Sequence, residues 1–141
     1  MILLDTNVVS EVMKPAPEPA VELWLAGQPA ASIFLCAITE AELRFGLAIM
    51  TEGRRRSTLA AVVDGMLGED FGGRILPFDS RAAIEFANLA ADRRRSGRPI
   101  SIPDAQIAAI ARSRGAALAT RNVADFEGCG VDIIDPWRAV V

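Results

Sequence analysis

Ile2-Leu3-Leu4-Asp5-Thr6-Asn7 is the stretch that decides the fold. Three apolar residues with nothing polar between them read as a short buried strand, and an acid, a hydroxyl and an amide follow at once. A strand that is apolar on both sides is covered on both sides, which points to a parallel sheet with helices above and below it. Runs of the same type recur at Ser32 to Ala37, at Ile75-Leu76-Pro77-Phe78, at Ala116 to Ala119 and at Val131 to Ile134. Helical patterns lie between them. The first runs from Asn7 to Met13 and stops near Pro15, and a short one follows Pro19 with Val21, Trp24 and Leu25 on one face. Thr39 to Met50 follows, its apolar face drawn from Ala41, Leu43, Phe45 and Leu47 through Met50, and then about Arg54 to Leu67. Ser80 is expected to cap a helix from Arg81 to Arg95 with Ala83, Ile84, Ala87, Leu89 and Ala90 inward, and Pro103 to open a last helix that ends at Arg114 before Gly115. The expectation is one α/β domain over residues 1–141, a short, mostly parallel sheet flanked by helices, without repeats or linkers.

The composition narrows the chemistry. Of 141 residues, 51% are apolar and 23% charged, enough to bury a core without disulfides or a structural metal. There is no His and no Tyr, and Lys14 is the sole lysine. Ser-His-Asp and Cys-His catalysis, His-ligated zinc, and His or Tyr acid–base chemistry are thereby excluded. Cys36 and Cys129 are too few for a disulfide framework or a zinc site, and Cys36, inside an apolar run, reads as a reduced core residue. The opening residues carry no basic segment of the signal-peptide type. The charge-free run Leu23 to Thr39 is broken by Gly27 and Pro29 and is short for a membrane span. A soluble cytoplasmic protein is expected.

In open α/β sheets the ligand crevice lies beyond the carboxyl ends of the strands. Asp5, Thr6 and Asn7 stand there, as do Thr120, Arg121, Asn122 and Asp125; Glu42 and Asp104 fall in the first turns of helices. Each has a structural explanation of its own. Asp5 suits a helix cap, Thr39-Glu40-Ala41-Glu42 fits a capping box, and Asp104 favours a helix N-terminus. Together they repel one another unless a cation sits among them. Oxygen ligands without His or Cys suit Mg²⁺ or Mn²⁺, and such an ion hydrolyses phosphodiesters without any histidine.

At this point the chain resembles a known family. Met1 to Asn7 resembles the opening of a PIN domain, Thr39-x-x-Glu42-Leu43-x-x-Gly46 its second motif and Pro103-Asp104-Ala105-x-Ile107-Ala108 its third. Ala119-Thr120-Arg121-Asn122-x-x-Asp125-Phe126 resembles the fourth, and Asp135-Pro136-Trp137 the end of the VapC/FitB toxin branch. The resemblance implies a PIN-like fold and an Mg²⁺- or Mn²⁺-dependent ribonuclease toxin of a type II toxin–antitoxin module. It implies that Asp5, Glu42 and Asp104 are catalytic and hold the metal, with a fourth acid between Thr120 and Asp125. Asn122 occupies the position where that branch often has Asp, so Asp125 is the alternative catalytic acid. Thr6, Asn7, Thr120 and Asn122 are expected to support the acids or touch the substrate. Cleavage would leave a 5′-phosphate and a 3′-hydroxyl. The resemblance also implies a cognate antitoxin that blocks the acids with a basic side chain, an RNA substrate, and a homodimer.

Two further features have paired readings. Arg54-Arg55-Arg56 and Arg93-Arg94-Arg95 with Arg98 are either phosphate contacts for RNA or solvated helix ends. With a pI of about 5.0, any grip on RNA has to be local. The face of Val21, Trp24 and Leu25 is either core or a groove for another chain. Other small α/β folds fit less well. A receiver domain needs a late Lys, a haloacid-dehalogenase-like phosphatase an Asp where Asn7 stands, and a dinucleotide-binding domain a Gly-rich turn in place of Asp5-Thr6-Asn7-Val8. The remaining rival is a PIN domain that binds RNA or a partner without cutting.

Overall fold

In a computed structural model that describes residues 1–139, five strands form a sheet of order β3-β2-β1-β4-β5. They are β1 (Ile2–Leu4), β2 (Ile33–Cys36), β3 (Ile75–Leu76), β4 (Ala117–Ala119) and β5 (Ile133–Ile134), and every pairing is parallel. The last two residues of the expected domain lie outside the described residues. Six α-helices connect the strands: α1 (Thr6–Val12), α2 (Pro19–Ala26), α3 (Ala37–Ala48), α4 (Arg54–Gly65), α5 (Ser80–Arg95) and α6 (Ile102–Ser113).

The alternation of side chains along each strand explains the continuous apolar runs. Leu3, Cys36 and Leu118 point into one core, packed with Leu89 of α5, Ile107 and Ile110 of α6, and Phe126. Leu4, Leu35 and Ala119 point into the other, packed with Val8, Val9, Trp24, Leu43 and Val63 from α1 to α4. Trp24 is thus core, and Cys36 is a fully buried free thiol whose pKa burial pushes up. The small side chains of Ala105, Ala108, Ala109 and Ala111, all fully buried, let α6 lie close to the sheet and to α5.

Sheet order fixes where the crevice opens. From central β1 the chain moves outward through β2 and β3, then returns to the other side of β1 as β4. The reversal places the ends of β1 and β4 side by side, and ligands bind at such switch points. Leu4 pairs with Ala119, so Asp5 and Thr120 emerge together.

Four expectations are corrected. α3 starts at Ala37, directly off β2, so Thr39 lies inside its first turn and is fully buried, and Glu42 lies in the second turn. There is therefore no Thr39–Glu42 capping box. Of the expected apolar face of α3 only Leu43 is buried, while Ala41, Phe45 and Ile49 are exposed. On α5 the cap is Asp79, which accepts from the Ala82 N–H at 3.0 Å, rather than Ser80. Its inward stripe is Ala82, Phe86, Leu89 and Arg93, and Ala83, Ile84 and Ala87 are exposed. Alanines all round this helix leave its pattern ambiguous, and a buried arginine completes the stripe where an apolar residue is expected.

Candidate active site

Asp5 is the fixed point of the site. It follows β1, caps α1 by accepting from the Thr6 N–H at 2.8 Å, and is only 4% exposed. Its other oxygen accepts from the Thr120 hydroxyl at 2.8 Å and from the Asn7 amide at 3.3 Å. Thr120, fully buried at the end of β4, in turn accepts from Asn7 Nδ2 at 3.3 Å and from the Asn122 N–H at 3.1 Å. Asn7 Oδ1 accepts from the Arg121 N–H at 3.3 Å. The beginnings of two loops, far apart in sequence, are thus held together by one acid, one hydroxyl and one amide.

Asp104 stands in the first turn of α6, whose cap Ser101 accepts from the Asp104 N–H at 3.3 Å. Glu42, exposed on α3, accepts from the Thr6 hydroxyl at 2.8 Å, and Thr6 Oγ lies 3.0 Å from Thr39 Oγ. The buried Thr39 thereby supports Thr6 from below rather than capping its own helix. Asp5, Glu42 and Asp104 line one open cleft of about 470 Å³, together with Thr6, Asn7 and Asn122. Asp125 does not line it. It sits exposed on the 3₁₀ turn Val123–Phe126, close enough for its charge to act on Asp104.

The cleft disfavours its own charges. Burial pushes the Asp5 pKa above its ordinary value, the Thr120 hydroxyl and the Thr6 N–H oppose this, and Asp104 and Glu42 push it further up. Burial likewise raises Asp104, against its bond with Ser101, and Asp125 adds to the rise. Among the described residues no three acid or thiol side chains converge as closely as a finished metal cage would require. What the cleft offers is hard oxygen donors short of positive charge.

Four cleft residues escape the search for polar groups after strands: Ser10, Glu11 and Lys14 on or just after α1, and Trp137 beyond β5. The spacing of Asn7, Ser10, Glu11 and Lys14 is one helix face and is the signal that finds the first three. Glu11, nearly buried, accepts from Lys14 Nζ at 3.0 Å and from the Glu18 N–H at 3.1 Å, which ties α1 to the start of α2 and holds its carboxyl below the usual range. Arg121 lies over the Trp137 ring, 5.1 Å from its centroid.

Arg93 is a structural residue. Its guanidinium is buried and donates to the carbonyls of Arg98 (2.7 Å), Asp125 (2.8 Å) and Glu127 (3.0 Å). It clamps the turn that carries Asp125. Arg94 and Arg95 are exposed.

The profile of the PIN domain family matches residues 2–127. The chain belongs to the PIN domain family. This PIN domain is 45% identical over 138 residues to the VapC ribonuclease Y4jK of Sinorhizobium fredii, spanning 98% of this chain and 99% of that one. Its backbone matches the crystal structure of FitAcB from Neisseria gonorrhoeae with a TM-score of 0.92 at 37% identity, covering 99% of this PIN domain and 100% of that chain. It also matches the DNA-bound VapBC complex of Salmonella typhimurium with a TM-score of 0.81 at 29% identity, covering 96% and 97% of the two chains. The PIN-like α/β fold expected from the sequence is the fold observed. No helix among the described residues is long and apolar enough to cross a membrane.

Proposed function

We propose that this PIN domain is a divalent-metal-dependent endoribonuclease and the toxin of a VapBC-type toxin–antitoxin module. The observation that carries the reading is the placement of Asp5: buried, held by three donors at the β1–β4 switch point, and joined in one cleft by Asp104 and Glu42. The ribonuclease and toxin–antitoxin names of its relatives support it.

The donor set suits Mg²⁺ or Mn²⁺, because the oxygens are hard and their negative charge is poorly compensated. Asp5 and Asp104 would hold the ion, and Glu42, exposed and accepting from Thr6, would be the adaptable ligand. When bound, the ion supplies stabilisation of the phosphoryl oxyanion and eases ionisation of water. Thr120 and Asn7 hold the orientation of Asp5, and Asn122 presents an uncharged amide to the cleft. Lys14 and Arg121 at its rim attract the phosphate backbone. Asp125 acts on Asp104 through its charge. In the overall reaction water adds to phosphorus, the bond from phosphorus to the 3′ oxygen breaks, and a proton ends on that oxygen, leaving a 5′-phosphate and a 3′-hydroxyl.

The antitoxin's place is an apolar groove of about 1020 Å³ between α1, α3 and α4, lined by Met13, Leu43, Leu47, Leu59, Val62 and Val63 among others. Thr6, Ser10, Lys14 and Glu42 line both groove and cleft, so a partner segment in the groove delivers a basic side chain to the acids. The exposed Phe45 of α3, Ile49 directly after it and Ile84 of α5 suit a homodimer. A second reading, binding without cleavage, draws on Asn122, which brings no charge to the cleft. Purified protein with RNA, with Mg²⁺ or with a chelator, separates the two. Metal-dependent cleavage that Asp5→Asn and Asp104→Asn abolish supports the nuclease; metal-independent RNA binding without new ends supports the alternative.

A further inference from the structure

We propose that Arg121 and Trp137 form a base-stacking platform, on which an RNA base next to the scissile phosphate rests; this builds on the ribonuclease reading. The platform is built from three sides. The Arg121 N–H is fixed by Asn7 Oδ1 at 3.3 Å, two residues from Asp5. The Trp137 N–H is fixed by Asp135 Oδ1 at 3.0 Å, in a turn directly after β5. The two segments are joined by the Thr120 N–H donating to the Ile134 carbonyl at 2.9 Å. Trp137 is partly buried, its inner side packed against the core under α1 and α2, and the Arg121 guanidinium lies over its ring at 5.1 Å. Arg121 itself is exposed, so a guanidinium held over an aromatic ring remains accessible to solvent, and both residues line the acid cleft.

That is the arrangement on which unstacked RNA bases are held, on an aromatic ring or an arginine plane, with little dependence on which base is present. A phosphate contact alone explains neither the ring beneath Arg121 nor its fixed position. In an acidic chain, with Arg93 consumed by its own turn, a stacked base also provides affinity that charge does not.

The test uses the full-length Asp104→Asn variant, expected not to cleave, with Mg²⁺ and two probes: hexauridylate, and an abasic ribose-phosphate oligomer of equal length. The bases should tighten binding roughly tenfold and change the emission of Trp137, since Trp24 is buried in the core. Arg121→Lys keeps the charge and loses the plane, and Trp137→Leu keeps the inner packing and loses the ring. Either should bring the two probes to equal affinity, and Arg121→Lys gives the answer even where Trp137→Leu fails to fold. Equal binding of both probes by the parent variant, or an undiminished preference in Arg121→Lys, overturns the platform and leaves the nuclease reading intact. Failure of both probes to bind, with no cleavage of any RNA by the wild-type chain, overturns the nuclease reading and the platform with it.

Discussion

The acid cleft and the apolar groove share four side chains and are organised in opposite ways. In the cleft the groups around Asp5 are tied together: Asp5 accepts three hydrogen bonds, Thr120 takes part in three, and Asn7 in three. The groove is walled by apolar side chains such as Leu47, Leu59 and Val62, and its lining cations are Lys14, Arg54 and Arg55. A site that does chemistry needs its donors fixed before substrate arrives. A site that receives a partner needs area, and gains its order on binding. The difference fits the proposal that the cleft is catalytic and the groove receives the antitoxin.

The largest effect that would break this division is on cleavage. Asp5→Asn and Asp104→Asn should each lower the rate of RNA hydrolysis by about a thousandfold or more, on the scale of losing a main electrostatic contributor, with an unchanged circular dichroism spectrum. Next is partner binding. Val62→Asp, in the groove and 45% exposed, should weaken antitoxin binding by about a hundredfold, the size of a lost hot spot. It should leave cleavage by the free toxin within about twofold, and titration calorimetry beside a cleavage assay reads both.

A smaller effect concerns stability. Asp5 has a folded pKa above its ordinary value, so the folded state binds its proton more tightly and loses stability as pH rises through that pKa. Asp5→Asn keeps a side chain that caps α1 and removes the charge. In thermal melts at neutral pH without metal it should therefore be more stable than wild type. Mg²⁺ should raise the melting temperature of wild type only, since ligands that bind the folded state stabilise it. The smallest effect lies at Glu11, whose carboxyl is held below the usual range. Its contribution is present above the ordinary carboxylate pKa and is lost as pH falls through the lowered one. Glu11→Gln should thus melt earlier than wild type at pH 7, with the gap closing in acid.

Much of this was legible in the sequence, and for a physical reason. Ile2-Leu3-Leu4 and Ala116 to Ala119 read as buried strands because both faces are apolar, and Asp5 and Thr120 could be placed at a sheet end because polar groups directly after such strands have nowhere else to go. What was not legible depended on contacts across the fold. Thr39 has the chemistry of a cap, but the helix begins before it, and its hydroxyl serves Thr6 instead. Arg93 looks like its two neighbours, yet only it meets the carbonyls of the Asp125 turn. Ser10 and Glu11 follow no strand, and only the face that α1 turns toward the acids brings them into the cleft. Asn122 and Asp125 were equivalent candidates until the 3₁₀ turn put one in the cleft and the other beside it.

The most direct test of the central claim, that this acid cleft hydrolyses RNA, is to sequence RNA ends in cells after induction of the wild-type chain and of Asp5→Asn. The account predicts new 5′-phosphate ends at defined sites with wild type and none above background with Asp5→Asn. The same ends appearing with both chains would contradict it.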